Sequence, residues 1–173
     1  MLHLHFLIKR KESLSRKEFS DYWRNVHAPL AMQIPGVRRY VQNHTMPFVS
    51  KNPSHDGIVE LWMDSREAVQ AAFDSLAYRE GAYVDEPNFV DIKNVTRLQT
   101  EDHVMREGPA ISRDADLIKR VSFIKRKPGM RPEEFSQYWR EVHGPLALKM
   151  PGIHRYVQCH VAPEVYEKGE PAY

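Results

Sequence analysis

The stretch Phe19–His44, "FSDYWRNVHAPLAMQIPGVRRYVQNH", returns as Phe135–His160, "FSQYWREVHGPLALKMPGIHRYVQCH", at a constant offset of 116 and without a gap. From Ile8 to His44, 22 of 37 positions carry the same residue 116 places further on, which marks a duplication. Solenoid units repeat at about 20–50 residues, so a period this long makes each copy a domain and not a stacked repeat. A chain of 173 residues has room for one or two domains with real cores.

Copy one reads as alternating strand and helix signals. "LHLHFLIK", about Leu2 to Lys9, is short, apolar and β-rich, the pattern of a strand. Ser15 with Glu18 three residues on forms a capping box that opens a helix, and in copy two Pro132 stands at a first helical position. At helical spacing Phe19, Tyr22, Trp23, Val26 and Leu30 fall in one apolar stripe, with His27 at its edge. Pro29 either breaks this helix or opens a second turn, and Pro35–Gly36 ends it. Strands follow at Val37–Thr45 and about Gly57–Met63. A second helix begins at Asp64, with Glu67 completing its capping box and Val69, Ala72, Phe73 and Leu76 as its buried face. A last strand lies within "DIKNVTRLQTE". The order β-α-β-β-α-β is that of a ferredoxin-like α+β domain.

This reading gives a first domain at 1–104, a polar, Gly-Pro-broken linker at 105–117, and a second domain at 118–173. The second domain has only strand (Ile118–Lys125), helix and strand (Ile153–His160). Its third strand, second helix and fourth strand have no residues here, so it reads as incomplete.

Composition excludes several functional classes. The net charge of +2 offers no basic face for nucleic acid. The apolar run at the N-terminus, interrupted by His3 and His5, is too short to span a bilayer or serve as a signal core. The single cysteine, Cys159, rules out an intrachain disulfide framework and fits a cytoplasmic setting. His3 and His5 have same-face spacing, but copy two has Lys119 and Val121 in their places and no third ligand is near, so no metal is expected. No Gly-rich nucleotide loop or nucleophile elbow is present, and no cofactor is expected.

The combination of F-x-x-Y-W-R-x-x-H, a P-L, a P-G and R-Y-V-Q-x-H, followed by "DGIVELWMDS", resembles the EthD domain family of the dimeric α+β barrel superfamily. The likeness covers nearly all of copy one and the first half of copy two. It implies ferredoxin-like sheets packed face to face as a barrel, either between subunits of a homo-oligomer or between tandem domains as a pseudo-dimer. It also implies a small-molecule pocket on the lumen or helix side. For activity it implies an association with oxidative degradation of small ethers beside a cytochrome monooxygenase, hence an oxidoreductase label. Relatives that act as dehydratases or cyclases, and a non-catalytic binding or scaffold role, are the alternatives.

The second strand carries the candidate chemistry. Strict alternation puts Arg38, Tyr40, Gln42 and His44 on one face and Val37, Arg39, Val41 and Asn43 on the other. In copy two the first row reads His154, Tyr156, Gln158, His160. With the valines taken to meet the helices, the polar row is expected to line the barrel lumen and orient a ligand. The alternative is a set of satisfied buried hydrogen bonds that ties the sheets together. His27 is either an acid or base, with its ordinary pKa near neutrality, or a cation at a helix C-terminus. Tyr22 and Trp23 read as core, with Trp23 also able to wall an aromatic ligand, and Glu60 reads as a lone pocket carboxylate. The expected catalytic set is therefore His27, Tyr40 and His44. The expected ligand-binding set is Trp23, Arg38, Gln42, Glu60, Tyr156 and His160, and the expected ligand is a small apolar or aromatic molecule.

Overall fold

The computed structural model describes residues 1–46, 48, 52–112, 114–167, 169, 171 and 173. The chain divides into two compact units, Met1–Thr100 and Glu101–Tyr173.

In the first unit β1 (Leu2–Ile8) leads to α1 (Arg16–Tyr22), a π-helical turn at Trp23–His27 and α2 (Ala28–Ala31). Ser15 caps α1 as expected: Glu18 N–H donates to Ser15 Oγ at 3.2 Å, and Ser15 N–H donates to Glu18 Oε2 at 2.8 Å. Pro29 does not break the helix but sits in the first turn of α2, where its missing N–H costs nothing. Gly36 then closes the turn at φ +78°, as Gly152 does in copy two at φ +80°, a left-handed conformation that favours glycine.

The helix does not keep the stripe expected of a regular period. A π turn holds one extra residue, which rotates every later position about the helix axis. Val26 is therefore exposed, while His27 is buried with Trp23.

β2 (Val37–His44) and β3 (Gly57–Met63) come next, then α3 (Arg66–Asp74), a π-helical turn at Ala77–Ala82, α4 (Tyr83–Asp85) and β4 (Thr96–Arg106). The N-cap of α3 is Ser65, one residue past the expected Asp64, and its hydroxyl accepts from Ala68 N–H. Asp64 instead pairs with Arg38, whose Nε lies 2.8 Å from its carboxylate. Ala72 is buried as expected, but α3 ends before Leu76, which is exposed. β4 begins later than "DIKNV" suggested and runs to Arg106, into the expected linker. The strands of this unit lie in the order β2-β3-β1-β4, with β1 antiparallel to β3 and β4 and β2 antiparallel to β3. This is the ferredoxin-like α+β arrangement.

One register shift decides which side chains see the helices. Val37 pairs with Met63 and Arg39 with Trp62, so two residues of β2 advance against one of β3. This β-bulge at Arg38 breaks strict alternation. Val37 and Tyr40 both pack into the helix-side core with Leu4, Leu61 and Met63. Arg39 turns to the other face, over the Trp62 ring. The assignment of valines to the helix face and of the polar row to the lumen is thus inverted from Arg39 onward.

The second unit contains the distal part of β4, α5 (Pro132–Tyr138), a π turn at Trp139–His143, α6 (Gly144–Ala147), β5 (Tyr156–Val161) and α7 (Pro163–Tyr166). α5 begins at Pro132 as expected from sequence, and β5 lies beside β4. The expected strand at Ile118–Lys125 does not form, since these residues have no regular structure. Its counterpart β1 is held by hydrogen-bonded neighbours on both edges. Among the described residues of this unit, no strand takes those places beside 118–125.

Candidate functional site

The polar row of β2 faces α1 and forms a closed network. Trp23 Nε1–H donates to Tyr40 Oη at 3.1 Å. Gln42 Nε2–H donates to the Trp23 carbonyl at 2.9 Å and to Tyr40 Oη at 2.8 Å. His44 Nε2 lies 3.2 Å from Gln42 Oε1, and its Nδ1 lies 2.9 Å from Ser20 Oγ. Because the amide oxygen only accepts, His44 carries its proton on Nε2 and accepts from Ser20 at Nδ1. Copy two repeats the set: Gln158 donates to the Trp139 carbonyl at 2.9 Å and to Tyr156 Oη at 3.0 Å, and His160 meets Gln158 at 3.0 Å and Ser136 at 2.5 Å. The repeated Ser, Tyr, Trp, Gln and His are therefore a staple between helix and sheet, with Gln binding a carbonyl of the π turn in each unit.

Burial, helped by the nearby Arg24, pushes the His44 pKa down to about 4. His160 falls to about 4 for the same first reason, with His103 and Arg140 adding to it. His44 and His160 are thus neutral at pH 7, with both ring nitrogens engaged in hydrogen bonds within the fold. Arg38 is exposed at the bulge. Glu60 lies on the opposite sheet face, 2.7 Å from Asn43 Nδ2 and 3.5 Å from His3 Nε2.

A cavity of about 60 Å³ lies in the first unit between the sheet and its helices, and neither Arg38 nor Glu60 lines it. Its apolar wall includes Phe6, Trp23, Phe73 and Phe89, and its polar lining includes His27, Tyr40, Tyr78, Glu86 and Arg97. His27 Nδ1 lies 3.0 Å from Asp85 Oδ2. Asp85 Oδ1 accepts from Tyr22 Oη at 2.6 Å and from Asn88 Nδ2 at 3.1 Å. Burial would raise the Asp85 carboxyl, but the hydrogen bonds from Tyr22, Asn88 and His27 outweigh it and hold the pKa below the ordinary range. Burial lowers the His27 pKa, and Asp85 offsets only part of that. A neutral imidazole donating Nδ1–H to an ionised carboxylate has its lone pair on Nε2, the tautomer of a general base.

Tyr40 has a matching role. Its oxygen already accepts from Trp23 and Gln42, and no acceptor among the described residues takes its O–H, which leaves that proton to be donated. Burial raises its pKa, which keeps it a donor.

The family model of the EthD domain matches residues 11–93 and 127–172, most of the chain and both copies. The chain belongs to the EthD family. No curated protein matches it. Solved structures similar to this EthD chain include an ethyl tert-butyl ether d (EthD) family protein from Bacillus halodurans, at 22% identity and TM-score 0.46, covering 58% of this chain and 98% of that one. HapK from Hahella chejuensis aligns at 14% identity and TM-score 0.48, over 65% and 98%. A dimeric ferredoxin-like protein of unknown function from Thermobifida fusca aligns at 14% and 0.46, over 57% and 87%.

Of the residues singled out from sequence, this EthD fold brings His27, Tyr40 and Trp23 to one cavity. It assigns Gln42, His44, Tyr156 and His160 to the staples. Asp85, Glu86, Tyr78 and Arg97 escape the sequence reading. The first three fall in "AYREGAYVDEPNF", which shows no regular period, yet a Y-x-D-E cluster beside Pro87 is a visible sign of chemistry-bearing side chains on a short irregular helix. No helix among the described residues is long and apolar enough to cross a membrane.

Proposed function

We propose that the first unit binds a small apolar or aromatic molecule in the cavity of about 60 Å³ and transfers a proton with His27 as general base. The observation that carries this reading is the His27–Asp85 pair at 3.0 Å beside the free hydroxyl of Tyr40 on an apolar cavity. His27 Nε2 takes a proton from a carbon next to a carbonyl, and the electron pair moves onto the carbonyl oxygen. Tyr40 donates to the resulting oxyanion, and Asp85 stabilises the imidazolium until the proton returns at another position. Among the chemistries expected of an EthD domain, a neutral imidazole base beside a hydroxyl donor supports the dehydratase or cyclase type. Pairing of copies through the sheet face opposite the helices belongs to the same reading, and sedimentation of the full chain checks it.

The test is exchange of the α-protons of phenylacetone in D2O, followed by proton NMR. The wild-type chain accelerates exchange over buffer, and His27→Gln abolishes the acceleration while the fold is retained. Binding without acceleration would leave a non-catalytic binding module, and no binding would remove the site.

A further inference from the structure

Three polar groups of the cavity are left over once the His27–Asp85–Tyr40 set is accounted for. The Glu86 carboxyl, the Arg97 guanidinium and the Tyr78 hydroxyl all line it, and none makes a side-chain hydrogen bond with another described residue. They come from three separate elements: Tyr78 from the π turn after α3, Glu86 from the turn after α4, and Arg97 from β4. With Arg97 exposed and Glu86 and Tyr78 half-buried, water satisfies these groups when the cavity is empty, and a ligand group that displaces it can pair with all three. Arg97 is exposed along part of its length while Glu86 and Tyr78 are half-buried, so the set marks the mouth of the cavity and Phe6, Trp23 and Phe89 its apolar wall.

We infer that this mouth is a carboxylate-recognition site, so that the ligand of the His27 cavity is a small apolar or aromatic acid. The guanidinium offers the fork that a carboxylate fills with two parallel hydrogen bonds, and Tyr78 adds a donor. Glu86 is the group that selects. Its pKa is pushed up to about 7 by burial, with Arg97 pulling it down and Asp85 adding to the rise. A carboxylate arriving at Arg97 favours the protonated acid, which then donates to it. A phosphate dianion would instead meet Glu86 and Asp85 with twice the charge and a single arginine. Tyr78, pushed up to about 12 chiefly by burial, stays a donor throughout. The cavity volume of about 60 Å³ suits a small apolar body with its acid group held at the rim.

The inference rests on the proposed ligand cavity, and its test separates the two. Benzoate and benzamide have the same shape and differ in charge, and butyrate and butyramide form a smaller pair. Binding of all four to the full chain is measured by calorimetry and by ligand-observed NMR. The expected result is a preference of about tenfold or more for each acid over its amide, one bidentate charge-assisted contact being worth that much. Arg97→Gln removes this preference and Arg97→Lys restores part of it, while Glu86→Gln, which keeps a donor and no charge, retains it. Amides bound as tightly as acids would overturn the carboxylate site and leave the cavity standing. An acid preference that survives Arg97→Gln would place it elsewhere and overturn the inference too. No binding of any probe would overturn both readings.

Discussion

Gly57 lies so close beneath the Trp23 indole that a Cβ at position 57 would stand 2.4 Å from Trp23 Cζ3. The indole is fully buried there, between its hydrogen bond to Tyr40 and the His44 ring 4.5 Å away. Its neighbours hold it, so it cannot retreat. Gly57→Ala is expected to cost about 1–3 kcal/mol, the range for overpacking a tight core. Trp23→Leu in the same background should recover part of that loss, which makes the two changes non-additive. Denaturant unfolding of the four chains measures the coupling, and an additive result would mean that the ring moves freely.

Asp85 is expected to act on rate and not on affinity. Asp85→Asn keeps the shape but can offer its amide N–H to His27 and turn the imidazole to the wrong tautomer. Proton exchange into a bound ketone should fall by about 10²–10⁴-fold, as expected for losing the group that orients a general base. Tyr22→Phe removes only one of the bonds to that carboxylate and should cost far less. A large loss of binding in Asp85→Asn would assign this residue to the ligand instead.

Most of the first unit is legible in the sequence because its signals are local. A capping box, a Pro-Gly turn and short β-rich runs state their structure within a few residues, and the duplication supplies the domain scale. The departures share a different cause: a single inserted residue changes the phase of everything after it. The π turn at Trp23–His27 moves His27 inward and Val26 outward. The bulge at Arg38 moves Tyr40, Gln42 and His44 from the expected lumen to the helix side. Neither insertion alters composition or period enough to be seen in one sequence. Asp85 and Glu86 are hidden for another reason, since a pair of acids in an irregular helix gains meaning only from the His27 and Arg97 that the fold sets beside it.

The staples make stability depend on pH in a definite direction. Both His44 and His160 have folded pKa values of about 4, below the ordinary value near 6.5 that an unfolded chain restores. Between those values the unfolded state binds more protons, so stability is fully present above about pH 6.5 and is lost as pH falls toward 4. Melting temperature is expected to stay level from pH 8 to 7 and then drop. His44→Gln should flatten part of that drop while lowering stability at pH 7, because it breaks the bonds to Ser20 and Gln42. An unchanged slope would mean that other groups govern acid unfolding.

Glu86 works in the opposite sense, which allows the two effects to be separated. Its folded pKa of about 7 lies above the usual 4.3 for glutamate, so the folded state binds the extra proton. The contribution of this neutral buried carboxyl is fully present below about pH 4.3 and is lost as pH rises through 7. Glu86→Gln cannot ionise, so it should match the wild-type chain closely at pH 4 and exceed it at pH 8. The gap should open across about pH 4.3–7, while the acid drop due to His44 and His160 stays in place. Added benzoate should narrow the gap, because a carboxylate on Arg97 keeps Glu86 protonated to higher pH. Melts at half-unit intervals with and without benzoate read both effects. A wild-type chain as stable as Glu86→Gln at pH 8 would show that Glu86 ionises without cost, and the acid-to-acid contact at the cavity mouth would then lose its physical basis.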